Sequence, residues 1–237
     1  MLVDDDVLID AGTGIGDLAL DELRRIRHVF LTHAHLDHVA GLPMLVDAIF
    51  ADNLDLPLTV YARAETIAAL RAHIFNWVIW PDFTELPSAE RAVLRYHECN
   101  PGDTLTVGHR DFHAVEVSHT VPAMGYTVQN SGGVFAVSGD TRTNRTLWPV
   151  LNACDDLRAL VIEVSFPDEM KELAEVAGHY CPQTLKADLA KLEHSPEIWI
   201  TGMKPGEEDT IYRQVRALLP GQELVKIIHA ELVTLLG

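Results

Sequence analysis

Basic residues are scarce in this chain. Eighteen Lys and Arg stand against 35 Asp and Glu, for a net charge of −17 over 237 residues. A protein that grips a long nucleic acid neutralises its phosphates with clustered Lys and Arg, and no basic run is present. That composition argues against a tRNA-sized partner. It does not argue against a small phosphorylated ligand, because divalent ions supply local positive charge. Cysteine is also sparse: Cys99, Cys154 and Cys181 form no CxxC pair and fit small buried hydrophobes in a reducing compartment, so the cytoplasm is the expected location. No apolar run reaches the length of a membrane span, and no signal peptide is expected before the first strand. Neither GxGxxG nor GK[ST] occurs, which makes Asp10-Ala11-Gly12-Thr13-Gly14 a structural turn rather than a phosphate cradle. There is no short-period repeat and no low-complexity linker. With 48% hydrophobic residues, the expectation is one domain over residues 1–237 with a large core.

What is abundant is histidine in one place. Residues 33 to 38 read His-Ala-His-Leu-Asp-His and follow the apolar run Val29-Phe30-Leu31. A buried strand end is a poor place for three imidazoles and a carboxylate unless something satisfies them. Histidine with carboxylate suits Zn²⁺, Mn²⁺ or iron. His33 and His35 lie two apart, so in an extended chain they point the same way and can grip one ion. Asp37 and His38 are adjacent, diverge, and can serve a second ion. Val39-Ala40-Gly41-Leu42-Pro43 then starts a helix.

The stretch Thr32 to Gly41 resembles the HxHxDH motif of the metallo-β-lactamase fold hydrolases. With Leu36 and the Gly41 that follows, it is similar to the class II cyclic-nucleotide phosphodiesterases, and the tRNA-processing nuclease RNase Z has the same core motif. The resemblance implies an α+β fold of the αββα sandwich type, two mixed β-sheets flanked by helices. The strand order read from the sequence agrees. Strands are expected at Val7 to Asp10, His28 to Thr32, Leu58 to Ala62, Thr104 to Val107, Phe112 to Ser118, Gly125 to Gln129 and Val134 to Ser138. Further strands are expected at Leu160 to Val164, Ile198 to Thr201 and Leu224 to Ile228. Helices are expected at Asp17 to Arg24, Ala64 to Ile74, Pro167 to Ala177, Thr184 to Glu193 and Glu207 to Leu218. The resembled fold has one or two strands before its Asp-Ala-Gly turn. A shortened N-terminal sheet here would leave an edge for another subunit, so a homodimer is an expected partner. The aromatic stretch Phe75 to Phe83 reads as core packing, with a lid or a dimer contact as the alternatives.

The resemblance also assigns ligands. His119, in Ser118-His119-Thr120, matches the next histidine, and Asp140, in Gly139-Asp140-Thr141, matches the carboxylate that bridges two ions. The pattern breaks at Gly202, which stands where the family has a further histidine. His229 is the candidate substitute, and a weak or vacant second site, or one completed by water, is the alternative. The cofactors implied are two divalent ions, zinc first, with manganese or iron as alternatives. Asp37 is read as both ligand and catalytic residue. His179, in Gly178-His179-Tyr180, resembles a general acid, with Glu163 as its orienting partner. Ions sharing Asp140 would sit roughly 3.5–4 Å apart and deliver hydroxide to phosphorus. The expected function is thus a metal-dependent phosphodiesterase for a small substrate such as a 3′,5′-cyclic nucleotide. The alternatives are an RNase Z-like nuclease, a metal-binding homologue with lost or altered catalysis, and a hydrolase of thioesters or lactams.

Overall fold

The computed structural model describes residues 1–227, and it resolves into two compact units, one of residues 1–100 and one from residue 101 on. His229, the candidate substitute ligand, lies outside the described residues.

The first unit is built on a five-stranded sheet: β1 (Leu2–Val3), β2 (Val7–Ile9), β3 (His28–Phe30), β4 (Leu58–Ala62) and β5 (Leu94–Glu98), in that order. β1 runs antiparallel to β2, and β2 to β5 are parallel. Val7-Leu8-Ile9 is buried at every position, as strands covered on both faces are. Around the sheet run α1 (Leu20–Leu23), α2 (Leu36–Val39), α3 (Leu42–Ala48) and α4 (Ala64–His73). Leu42, Leu45, Val46 and Ile49 join Val29, Leu31, Leu58 and Val60 in one core. Spacings of three and four put Leu42, Leu45 and Val46 on one face of α3, and Ile49 follows at its end.

The second unit holds a seven-stranded sheet of β6 (Thr104–Val107), β7 (Arg110–Val117), β8 (Ala123–Asn130), β9 (Gly133–Val137), β10 (Leu157–Glu163), β11 (Glu197–Thr201) and β12 (Leu224–Lys226). Its order is β12-β11-β10-β9-β8-β7-β6. The meander β6 to β9 is antiparallel, and β9 to β12 are parallel neighbours. Its helices are α5 (Leu147–Asn152), α6 (Lys171–Ala177), α7 (Pro182–Leu189) and α8 (Glu208–Leu218). Leu147, Trp148 and Leu151 of α5, Leu185 of α7, and Ile211 and Val215 of α8 meet Leu160, Ile162, Ile198 and Ile200 in its core. Parallel β9, β10 and β11 end side by side, and in such sheets the carboxyl ends carry the functional loops.

Several expected elements shift. The helix expected from Asp17 shrinks to α1, because Thr13–Asp17 winds as a 3₁₀ turn. The helix expected from Pro167 begins as a 3₁₀ turn at Asp168–Met170 before α6. α7 starts two residues before the expected Thr184, with Pro182 at its first position, where a missing N–H costs nothing. β5 and α5 were not legible: Leu-Arg-Tyr-His-Glu has one buried apolar residue, and α5 carries Pro149. In the aromatic stretch Phe75 and Phe83 are core residues, whereas Trp77, Val78 and Ile79 are exposed. Among the described residues no helix is long and apolar enough to cross a membrane.

Candidate metal centre

In the first unit β3 delivers the chain to Thr32 and His33, both fully buried, and α2 opens at Leu36. The His33 ring lies 4.6 Å from the His35 ring and 4.2 Å from the His38 ring. Asp37, two-thirds exposed, holds a carboxylate oxygen 3.8 Å from His38 Nε2. His33, His35, Asp37 and His38 are thus gathered within the one loop and the first turn of α2.

The Asp-Ala-Gly turn does more than turn the chain. Asp10 Oδ2 accepts hydrogen bonds from His38 Nδ1 at 2.7 Å and from Thr32 Oγ1 at 2.8 Å, and Oδ1 accepts from the Thr32 N–H at 2.8 Å. Thr32 Oγ1, having given its proton to Asp10, accepts from His33 Nδ1 at 2.9 Å. One carboxylate therefore sets the tautomer of two histidines: each ring, in its neutral form, carries its proton on Nδ1 and its lone pair on Nε2. Burial pushes the Asp10 carboxyl up, but the charge and hydrogen bond of His38, the His33 charge and the Thr32 N–H outweigh it and hold it below its ordinary value. Asp10 sits at φ 58°, a left-handed conformation that Asp tolerates better than most residues. Gly12 lets the turn close against the motif, since a Cβ there would lie 1.8 Å from the Asp37 carbonyl oxygen. Sequence reasoning took Asp10 as a turn residue only; the signal it missed was an acidic side chain one residue after a buried parallel strand.

In the second unit His119 follows β7, Asp140 follows β9, Glu163 ends β10, and His179 follows α6. His119 Nδ1 donates to the Gly178 carbonyl at 2.8 Å, which again leaves the lone pair on Nε2. His119 Nε2 lies 4.0 Å from Asp140 Oδ2, and His179 Nδ1 lies 3.9 Å from the same oxygen. Each of these three side chains offers a ligand atom within 4.8 Å of the others. His179 Nδ1 donates to Glu163 Oε1 at 3.1 Å, the partnership expected from the sequence. Ser165, unremarked in the sequence, is buried and places its Oγ 3.0 Å from Glu163 Oε2 and 3.1 Å from the same His179 Nδ1. A serine nucleophile needs its base and that base's orienting carboxylate on different ring nitrogens. Here both meet Nδ1, so Ser165 is a support and not a nucleophile. Burial pushes the Glu163 carboxyl up. Burial also acts to lower His179, but the Glu163 hydrogen bond and the Glu163 and Asp140 charges outweigh it and raise its pKa.

Gly202 follows β11 at φ +71°, and its carbonyl accepts from Ser165 Oγ at 2.9 Å. A Cβ there would sit 3.2 Å from Glu163 Cβ. The backbone at this position favours glycine and opposes a histidine, the residue that the resemblance leads one to expect there.

The donor set fits divalent ions. Imidazole nitrogens and carboxylate oxygens suit zinc, manganese and iron. A metal-binding histidine donates its other N–H to a carboxylate, a carbonyl or a similar acceptor, and His33, His38 and His119 all do so. Three of the other histidines are used otherwise: His28 meets Tyr61 Oη, His113 meets Thr104 Oγ1, and His194 meets the Asn152 carbonyl.

Residues 6–196 match the beta-lactamase superfamily domain. A Yersinia pestis protein named a probable 3′,5′-cyclic-nucleotide phosphodiesterase is 32% identical over 183 residues, 71% of this chain and 51% of that protein. Ribonuclease Z of Pyrococcus horikoshii is 30% identical over 123 residues, 51% of this chain and 37% of the relative. The chain spans about half the length of the cyclic-nucleotide phosphodiesterases it matches over most of its own length. Among solved structures, unliganded yeast PDE1 superposes with a TM-score of 0.77 at 22% identity, covering 89% of this chain and 69% of that one. The metallo-beta-lactamase fold protein YhfI from Bacillus subtilis gives 0.73 at 16% identity, covering 95% and 85%. Two mixed sheets with their helices, the motif at the end of β3 and these matches agree, and the chain belongs to the beta-lactamase superfamily, with the metallo-β-lactamase fold.

Proposed function

We propose that this protein is a divalent-metal-dependent phosphodiesterase acting on a small substrate such as a 3′,5′-cyclic nucleotide. The observation that carries the reading is the proton arrangement of His33, His38 and His119, each fixed with its lone pair on Nε2. By the family resemblance His33, His35, Asp37 and His38 of the first unit, and His119 and Asp140 of the second, would be the residues that hold the ions; zinc is the first candidate. When bound, such ions polarise phosphoryl oxygens and make water a nucleophile at neutral pH. His179 is the general acid. Its Nδ1–H is held by Glu163, so Nε2 is the nitrogen that hands a proton to the leaving 3′-oxygen. Glu163 stabilises the charged imidazole and fixes its plane. The Glu163 hydrogen bond and charge raise the pKa of His179 and so favour its proton-carrying form, and general acid catalysis of this kind is worth about 10²–10⁴ in rate.

The net charge of −17 supports a small substrate over a long nucleic acid, despite the kinship with ribonuclease Z. Three free cysteines fit a cytoplasmic protein. The test is hydrolysis of bis-p-nitrophenyl phosphate and of cyclic AMP by protein loaded with Zn²⁺ or Mn²⁺. Activity should vanish in His33→Ala and Asp140→Ala. A loaded wild type that cleaves neither ester above buffer rejects the reading. Cleavage of a tRNA precursor, falling steeply with salt, would favour the nuclease instead.

A further inference from the structure

Asp188 lies on α7, in none of the loops described above, yet it is 2% exposed. Its Oδ2 accepts three hydrogen bonds: from Tyr180 Oη at 2.6 Å, the Asn144 N–H at 3.1 Å and Trp148 Nε1 at 3.1 Å. Its Oδ1 accepts from Lys191 Nζ, which also donates to the Asn144 carbonyl at 3.1 Å. A buried carboxylate is costly unless its lone pairs are satisfied. Four donors on one carboxylate form a built arrangement.

The donors lead to the loops that carry the second unit's candidate ligands. Tyr180 is the residue after His179, and its N–H donates to Glu163 Oε1 at 3.1 Å. Asn144 Nδ2 donates to Thr141 Oγ1 at 3.2 Å and to Tyr180 Oη at 3.3 Å. Thr141 is the residue after Asp140. Its N–H donates to Glu163 Oε1 at 3.1 Å, and its Oγ1 accepts from the N–H of Ser118, the residue before His119, at 3.1 Å. Segments 140–144 and 179–180, distant in sequence, thus meet on one carboxylate, and segment 118–119 joins them through Thr141. The sequence gives no hint of this, because Asp188 stands in an ordinary amphipathic helix, Pro182–Leu189.

We propose that Asp188 is a positioning residue for the metal centre. It holds the His119, Asp140 and His179 loops in mutual register through Tyr180, Asn144 and Thr141, and so sets how tightly the second unit's ligands bind an ion. This rests on the reading of those residues as metal ligands. A purely architectural role predicts something different: loss of Asp188 would lower the unfolding temperature and leave metal affinity in the folded protein unchanged.

The experiment compares wild type, Asp188→Asn and Tyr180→Phe. Zn²⁺ or Mn²⁺ affinity is measured by chelator competition, well below each variant's unfolding temperature, beside kcat and KM. In Asp188→Asn one carboxylate oxygen becomes a donor and at least one of its four donors loses its acceptor. Affinity should fall about tenfold or more, the range seen when outer partners of a metal site are removed, and kcat should fall with little change in KM. Tyr180→Phe removes one spoke, keeps the ring, and should give a several-fold loss. It serves if Asp188→Asn does not fold. Affinity within twofold of wild type in either folded variant overturns the proposal, even if stability drops. A wild type that binds no divalent ion rejects the underlying reading instead. A wild type that binds ions without cleaving phosphodiesters rejects the phosphodiesterase alone and leaves the affinity comparison valid.

Discussion

Asp10→Asn should act on the metal centre through one proton. In the wild type Oδ2 accepts from both His38 Nδ1 and Thr32 Oγ1, while Oδ1 accepts from the Thr32 N–H. An amide can keep its oxygen toward the Thr32 N–H only by turning its NH₂ toward two other donors. His38 then escapes the clash by moving its proton to Nε2, which removes the lone pair that would bind an ion. Asn tolerates the left-handed backbone at φ 58°, so the change is electrostatic and not conformational. Hydrogen bonds to charged groups are worth about 1.5–3 kcal/mol each, and two are lost or weakened. After partial relaxation, we expect about 3 kcal/mol of destabilisation in the metal-free protein, or roughly 6–12 °C in unfolding temperature for a chain of this size. Metal affinity should fall about 10–100-fold, which is about 1.4–2.8 kcal/mol. Asp10→Ala should be worse, because it adds about 1–2 kcal/mol of left-handed backbone cost and leaves the Thr32 N–H without its acceptor. Thermal unfolding of the apo protein and chelator competition measure the two effects separately. If Asp10→Asn binds metal within twofold of wild type, the tautomer argument is wrong.

Replacing Gly202 with the family's histidine should not simply improve the site. The φ of +71° and a Cβ contact of 3.2 Å to Glu163 should cost about 1–2 kcal/mol, read as a lower unfolding temperature, and an unchanged one would refute this account. His179→Ala should lower kcat by about 10²–10⁴ while bound metal, measured by elemental analysis, stays the same; lost metal would make His179 a ligand and not an acid. The metal-free protein should lose stability as pH rises. The folded pKa of His179 lies above its ordinary 6.5, so the contribution of this group is full below pH 6.5 and is lost as pH passes through the raised value. In Glu163→Gln the slope of unfolding temperature against pH over that range should flatten, and an unaltered slope would show that the pair is not its source. Stripping ions with a chelator should lower the unfolding temperature of the loaded protein, because ligands that bind only the folded state stabilise it; no change would mean no tightly held ion.

Much of the fold was legible. Val7-Leu8-Ile9 and Leu58 to Ala62 are apolar or alternating runs between clear breaks, and they became β2 and β4. β5 was not legible, because a strand that buries mainly Leu94 has the composition of a polar loop and owes its form to pairing with β4. The short helices were misjudged at their ends, where a 3₁₀ turn and an α-turn differ by one hydrogen-bond register that side-chain pattern does not encode.

The candidate site divides along the same line. The sequence alone determined the candidate donor types: six residues from His33 to His38 offer nitrogen and oxygen donors at strand-end spacing, a set whose chemistry suits a metal. It also showed that position 202 is a glycine. Only the tertiary structure decided which ring nitrogen each histidine presents, because that depends on Asp10 and Gly178, which lie 28 and 59 residues from their partners. Only it added Ser165 to the expected Glu163–His179 pair, and only it revealed Asp188 beneath the loops at 140–144 and 179–180. Ligand identity is a local property of side-chain chemistry. Proton placement and loop register are set by long-range hydrogen bonds, and a linear pattern carries no trace of those.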